Sequence, residues 1–221
     1  MNDHSRRKVE FYFDTVSPYV WLASTRLLDL ESETGAAVEC VPVLFAGLLN
    51  AHGQKGPAEI PAKRAYTFMD VMRRAALDGI EFRGPPMHPF NPLKSLRSAL
   101  AVEDRITRTR YVCALLHAAW SQGEDLTCDD TIRAVANQVA LDGDRLLSAC
   151  QDDRIKAELK RNTERAVGDG VFGVPTFRLD GELFWGADRL NDLRARLLDK
   201  APSIDENRLR SVLQRTASAQ R

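Results

Sequence analysis

The chain has 221 residues, 44% hydrophobic and 28% charged, with 31 Lys plus Arg against 31 Asp plus Glu. That length suits one compact domain with a large insertion, and the apolar fraction excludes a disordered chain. Balanced charge leaves no electrostatic footprint for nucleic acid or an anionic membrane, and no apolar run approaches the roughly 18 residues that span a bilayer.

The start, Met1 to Lys8, is polar and leads into a strand, so it does not read as a signal peptide. Cys40, Cys113, Cys128 and Cys150 lie far apart with no CxxC, as buried small hydrophobes of a reducing compartment would. The four histidines show no HxxxH or HExxH spacing, so no metal site is expected. His117, in an apolar helical stretch, is expected in or near the core. A cytoplasmic location follows as the expectation.

Val9, Phe11 and Phe13 alternate with Glu10, Tyr12 and Asp14, which predicts a strand over residues 8–14. Ser17-Pro18 opens a helix, since serine caps well and proline suits the first helical position. Apolar spacing carries that helix to Thr34, where Gly35 stops it. Val38 to Val43 gives a second strand, hence a βαβ unit with parallel strands. Ala46 to Pro61 reads as a loop and Ala62 to Leu77 as a helix. Four prolines between Gly84 and Pro92 exclude regular structure there. From Leu93 to Ala166 the pattern is helical, broken at Gln122-Gly123, near Thr127 and at Asp142-Gly143. Thr176 to Leu179 and Glu182 to Trp185 flank Asp180-Gly181, a strong hairpin signal. A helix from near Asp188 to Lys200 and an outer amphipathic helix within Ser203 to Ala217 complete the chain.

The order is β-α-β, a helical block, then β-β-α. Without the block this is the minimal thioredoxin arrangement: an α/β, thioredoxin-like fold with a large all-helical insertion. The expected division is residues 8–48 plus 170–200 for the thioredoxin-like part, 49–169 for the insertion and 201–221 for a helical tail. A Rossmann-like sheet fits less well, because only four strands occur and no GxGxxG follows the first.

Thioredoxin-like folds place chemistry where the first strand meets the first helix, and redox members carry CxxC there because a helix N-terminus stabilises a thiolate. Here Ser17-Pro18-Tyr19-Val20 stands instead, which excludes thiol–disulfide exchange at that position. Its hydroxyl could serve as a plain helix cap, or donate a hydrogen bond to another molecule's thiolate. Gly173-Val174-Pro175-Thr176 before the third strand tips the choice, since a cis Val174-Pro175 bond would turn Val174's backbone groups toward a peptide-like ligand.

Phe11-Tyr-Phe-Asp-Thr-Val-Ser17-Pro-Tyr19, Val171-Phe-Gly-Val-Pro-Thr176 and Phe184-Trp-Gly-Ala-Asp-Arg-Leu190 resemble the DsbA-like superfamily. Within it they are most similar to the branch of 2-hydroxychromene-2-carboxylate isomerases and kappa-class glutathione transferases. The resemblance covers nearly the whole chain, including the loop His88-Pro-Phe-Asn-Pro92. It implies glutathione as cofactor, with Ser17 facing its sulfur and Val174, beside Pro175, pairing with its cysteinyl backbone. Ala187, Asp188 and Arg189 would hold the γ-glutamyl end, and Lys63 stands where the family has a ligand lysine. Gln54 stands where relatives often carry Asn after Gly. Tyr19, Phe90, Asn91 and Lys63 would meet an aromatic or electrophilic substrate, and relatives imply a possible homodimer.

A hydrogen bond to a charged group contributes about 1.5–3 kcal/mol and a helix N-terminus about 0.3–1. Together they would lower a bound thiol's pKa by about 1.5–3 units, enough to hold it as thiolate at neutral pH without a general base. The resemblance thus implies an isomerase acting in aromatic catabolism, converting cis and trans forms of an aryl enone acid. A kappa-like transferase and a non-enzymatic thioredoxin-fold binding module are the alternatives.

Overall fold

The computed structural model describes residues 6–201 and 204–215; the tail expectation extends past these at both ends. Four strands form one mixed sheet in the order β2-β1-β3-β4, comprising β1 (Lys8–Phe13), β2 (Ala37–Pro42), β3 (Thr176–Leu179) and β4 (Glu182–Trp185). The β1–β2 pair is parallel, whereas β1–β3 and β3–β4 are antiparallel. This is the thioredoxin-like order that the motif sequence predicts, and the hairpin turns at Asp180-Gly181, both with positive φ.

Although β1 alternates in polarity, it is covered on both faces, because helices lie on either side of the sheet. Val9, Phe11 and Phe13 enter the core, with Phe11 stacked on Phe177 at 4.9 Å between ring centroids. On the opposite face Glu10 stays buried by pairing with Arg178 at 2.8 Å and Arg165 at 3.3 Å, and the Tyr12 hydroxyl donates to Asp169 at 3.0 Å. Burial of such a charge is tolerable only with partners of this kind.

The helix expected from Ser17 to Thr34 divides into α1 (Pro18–Ser24) and α2 (Leu27–Thr34). Ser24 and Thr25 cause the break: their hydroxyls donate back to Trp21 O at 2.7 Å and Leu22 O at 2.8 Å, competing with the helical ladder. The stretch read as a loop contains α3 (Phe45–Ala51) and a 3₁₀ turn at Pro57–Glu59, followed by α4 (Pro61–Leu77). Five helices follow: α5 (Leu93–Leu100), α6 (Arg105–His117), α7 (Asp129–Gln138), α8 (Gly143–Ala149) and α9 (Asp153–Gly168). Both α6 and α9 pack on β2, so buried residues of sheet and insertion form one continuous core.

A 3₁₀ turn at Ala187–Arg189 leads into α10 (Leu190–Leu197), and α11 (Glu206–Leu213) carries Leu209, Val212 and Leu213 exposed. Two expectations change. His117 is exposed, because it points off the outer side of α6, and Cys128 is exposed before α7 rather than buried. All four cysteines are free. No helix among the described residues is long and apolar enough to cross a membrane.

Candidate functional site

Asp14, at the end of β1, organises the turn that carries Ser17. One carboxylate oxygen accepts from Val16 N–H at 3.0 Å and the other from Phe45 N–H at 2.8 Å, so a single buried side chain ties the β1–α1 turn to the start of α3. With no cation beside it, desolvation outweighs these two bonds and pushes its pKa up to about 7. Three further contacts hold the turn from the insertion. Trp120 Nε1–H donates to Thr15 O at 3.0 Å, His88 Nε2–H donates to Val16 O at 3.0 Å, and the Thr15 and Ser95 hydroxyls meet at 2.7 Å. The His88 ring packs edge-on against Phe68 and Trp120, and its burial lowers its pKa, so the neutral ring with Nε2 protonated prevails. Its Nδ1 is buried with no protein partner among the described residues.

Ser17 caps α1: its Oγ accepts from Val20 N–H at 3.4 Å and donates to Val174 O at 3.5 Å. Both contacts are long, which leaves the hydroxyl weakly committed and able to donate elsewhere. The Val174-Pro175 bond is cis, as is His88-Pro89. The β1–β3 ladder begins at Thr176 opposite Tyr12, so Val174 keeps its backbone groups outside the sheet. Pro175 O accepts from Gly186 N–H at 2.9 Å, and Thr176 Oγ1 donates to Gly173 O at 2.7 Å, pinning the segment from both sides.

These two segments meet at the floor of a cavity of about 1030 Å³. Of the residues singled out in the sequence, Ser17, Tyr19, Gln54, Lys63, Phe90, Val174, Pro175, Ala187, Asp188 and Arg189 all line it. Asn91 is not among the residues that line it; its carboxamide oxygen accepts from Leu93 N–H at 3.0 Å in the turn that leads into α5. Arg189 donates to Asp188 at 2.6 Å and Asp192 at 3.0 Å, and the Asp188–Arg189 bond holds the Asp188 carboxyl below its ordinary range. Gly186 precedes them at φ 114°, where a Cβ would lie 2.5 Å from the Asp188 Oδ1. The φ is what calls for glycine there, since the carboxylate is the end of a flexible side chain.

Sequence reasoning missed several wall residues. The Tyr19 hydroxyl donates to Asp70 at 3.0 Å, which together with burial raises the phenol's pKa, and Asp70 lies 3.9 Å from Arg74. Asp70 follows Lys63 by seven residues, two helical turns, so its place on the same face of α4 was legible from spacing. Arg64, Phe68 and His88 also line the cavity. Arg64 and Phe68 share a face of α4 at i, i+4 and His88 begins the His88–Pro92 loop, but only packing of the insertion brings the loop and the helix face together.

The model of the DSBA-like thioredoxin domain matches residues 8–198. The 2-hydroxychromene-2-carboxylate isomerase of Sphingobium xenophagum is 30% identical over 195 residues, covering 87% of this chain and 99% of that protein. Glutathione S-transferase kappa 1 of Homo sapiens is 26% identical over 214 residues, covering 87% and 91%. A solved 2-hydroxychromene-2-carboxylate isomerase shares the fold with a TM-score of 0.81 at 24% identity, covering 94% of this chain and all of that one. With the serine turn, the Val174-Pro175 segment and this extent of similarity, the chain belongs to the DSBA-like thioredoxin family, in the branch of 2-hydroxychromene-2-carboxylate isomerases and kappa-class glutathione transferases.

Proposed function

We propose that the protein is a glutathione-dependent isomerase that interconverts cis and trans forms of an aryl-substituted enone acid. The observation that carries this reading is the meeting of Ser17 Oγ with Val174 O, 3.5 Å apart, at the floor of a cavity large enough for a tripeptide and a second molecule.

The residues present fit glutathione. Val174 offers backbone groups outside the sheet, suited to pairing with a peptide. Asp188 offers a carboxylate for an ammonium group and Lys63 a cation for a carboxylate, and Gln54 lines the same cavity. When bound, glutathione supplies a thiolate able to add reversibly to an electron-poor carbon, the nucleophilic chemistry that lets a double bond rotate.

This chain's part is to hold charge and exclude water. Ser17 donates its weakly committed O–H to the anionic sulfur, a bond that contributes about 1.5–3 kcal/mol. Because α1 has seven residues rather than the longer helix expected, the dipole adds only the lower part of its about 0.3–1 kcal/mol. The Asp14 and His88 bonds fix the turn so that the hydroxyl does not reorganise as charge develops, the basis of preorganised stabilisation. Tyr19 and Phe90 line the same cavity and add apolar surface to the space an aryl substrate would fill. No side chain is required as a general base.

Relatives carry both the isomerase and the transferase name, so a kappa-like transferase is the second reading. Recovery of free glutathione after turnover marks the isomerase; its consumption marks the transferase. The first test is an ultraviolet titration of bound glutathione in the wild type and Ser17→Ala. Thiolate absorbance should persist to near-neutral pH in the wild type, with a midpoint about 1–2 units higher in the variant. Absence of binding would return the protein to a thioredoxin-fold binding module.

A further inference from the structure

Lys63 and Arg64 open α4 at the end of the helix where cations are least favoured and acids most favoured. The first turn of α4 holds no acidic residue to offset them. Neither cation has an acidic partner within ion-pair distance among the described residues, and Glu59, on the same wall, gives its carboxylate to Gly56 N–H at 2.6 Å. Two uncompensated cations facing one cavity mark a place for anionic groups.

The two differ in how they are held. Lys63 is unbraced, and it also borders a shallow hollow with Pro57 and Tyr66 on the outer side of α4. The Arg64 guanidinium lies 5.7 Å from the centroid of the Phe68 ring and donates through Nη2 to His88 O at 3.2 Å. That leaves most of its five N–H donors free in a fixed plane, the arrangement suited to gripping a carboxylate in two places. Phe68 continues inward to the His88 ring at 5.2 Å and from there to Trp120 at 5.5 Å. The guanidinium thus stands at the edge of an aromatic wall that leads toward the Ser17 turn.

Resting on the isomerase reading, we infer that Arg64 anchors the substrate's carboxylate while the aryl ring lies along the Phe68–His88 wall, leaving Lys63 to the cofactor. Arg64 is thereby the residue that selects aryl acids over neutral aryl ketones.

The test is calorimetric binding of benzylidenepyruvate and its methyl ester to wild type, Arg64→Met, Arg64→Lys and Lys63→Met, with unreactive S-methylglutathione titrated separately. Arg64→Met should weaken the acid about tenfold and leave the ester and S-methylglutathione unchanged. Arg64→Lys should recover part of the loss, since it keeps the charge but not the fork. Equal loss for acid and ester, no loss for either, no preference for the acid in the wild type, or loss of that preference only in Lys63→Met would each overturn the inference. Failure of S-methylglutathione to bind the wild type would instead sink the cofactor reading, while the acid-over-ester ratio still reports on Arg64.

Discussion

The two sides of the cavity are built differently. On the sheet side, Ser17, Val174 and Pro175 are positioned largely by backbone, and the turn before Ser17 is gripped from below by Asp14, Trp120, His88 and Ser95. Ser17 and Val174 are 8% and 7% exposed, so the groups to which the proposed function assigns the chemistry have little freedom to move. On the α4 side, Lys63 and Arg64 are exposed side chains on a helix with only Val71 and Ala75 buried. A charge that must be stabilised in one place calls for preorganised, dry surroundings. A substrate that must be chosen and released needs only a charge and a flat wall, which exposed residues supply.

This contrast is broken most severely by Trp120→Ala, which removes a fully buried indole stacked on Phe82 together with its bond to Thr15 O. Urea unfolding should show a loss of about 3–5 kcal/mol. A loss near 1 kcal/mol would mean that the insertion does not brace the serine turn.

Asp14→Asn sharpens the comparison through pH. With a native pKa of about 7 against about 4 when unfolded, the folded state holds a proton that the unfolded chain releases within that window. Stability should therefore fall as pH rises from about 4 to about 7, by at most about 4 kcal/mol for a shift of this size. Asparagine should flatten that slope, at a separate and pH-independent cost of about 1–3 kcal/mol where an amide N–H₂ faces a backbone donor. An unchanged slope would assign the pH dependence to other groups.

The smallest effect belongs to the exposed wall. Lys63→Met should leave the melting temperature unchanged and weaken glutathione by about 1 kcal/mol or less, with the difference fading in salt. A large or salt-independent loss would make this wall as preorganised as the sheet side.

Much of the fold was legible in the chain. Alternation over Lys8–Phe13, the Asp180-Gly181 turn and the Ser17-Pro18 start each encode a local preference, and the strand–helix order leaves few topologies. The α3 helix escaped notice because its start is capped from afar: Leu44 N–H donates to Thr163 Oγ1 at 3.0 Å and Phe45 N–H to Asp14. The break before α2 could have been read from Ser24-Thr25. Asn91 lies apart from the cavity lining because its carboxamide turns to the backbone before α5, a use that a polar loop residue serves as readily as ligand binding.

What the sequence determined by itself is the set of groups whose role is local: a serine at a helix start, a Val-Pro before a strand, a glycine before Asp188. These depend on backbone conformation, which neighbouring residues set. Only the tertiary structure decided which side chains share the cavity with them. Spacing along α4 relates Asp70 to Lys63 and Phe68 to Arg64, but α4 and His88 come to the serine turn only through packing of the insertion, over sequence separations that no local pattern records.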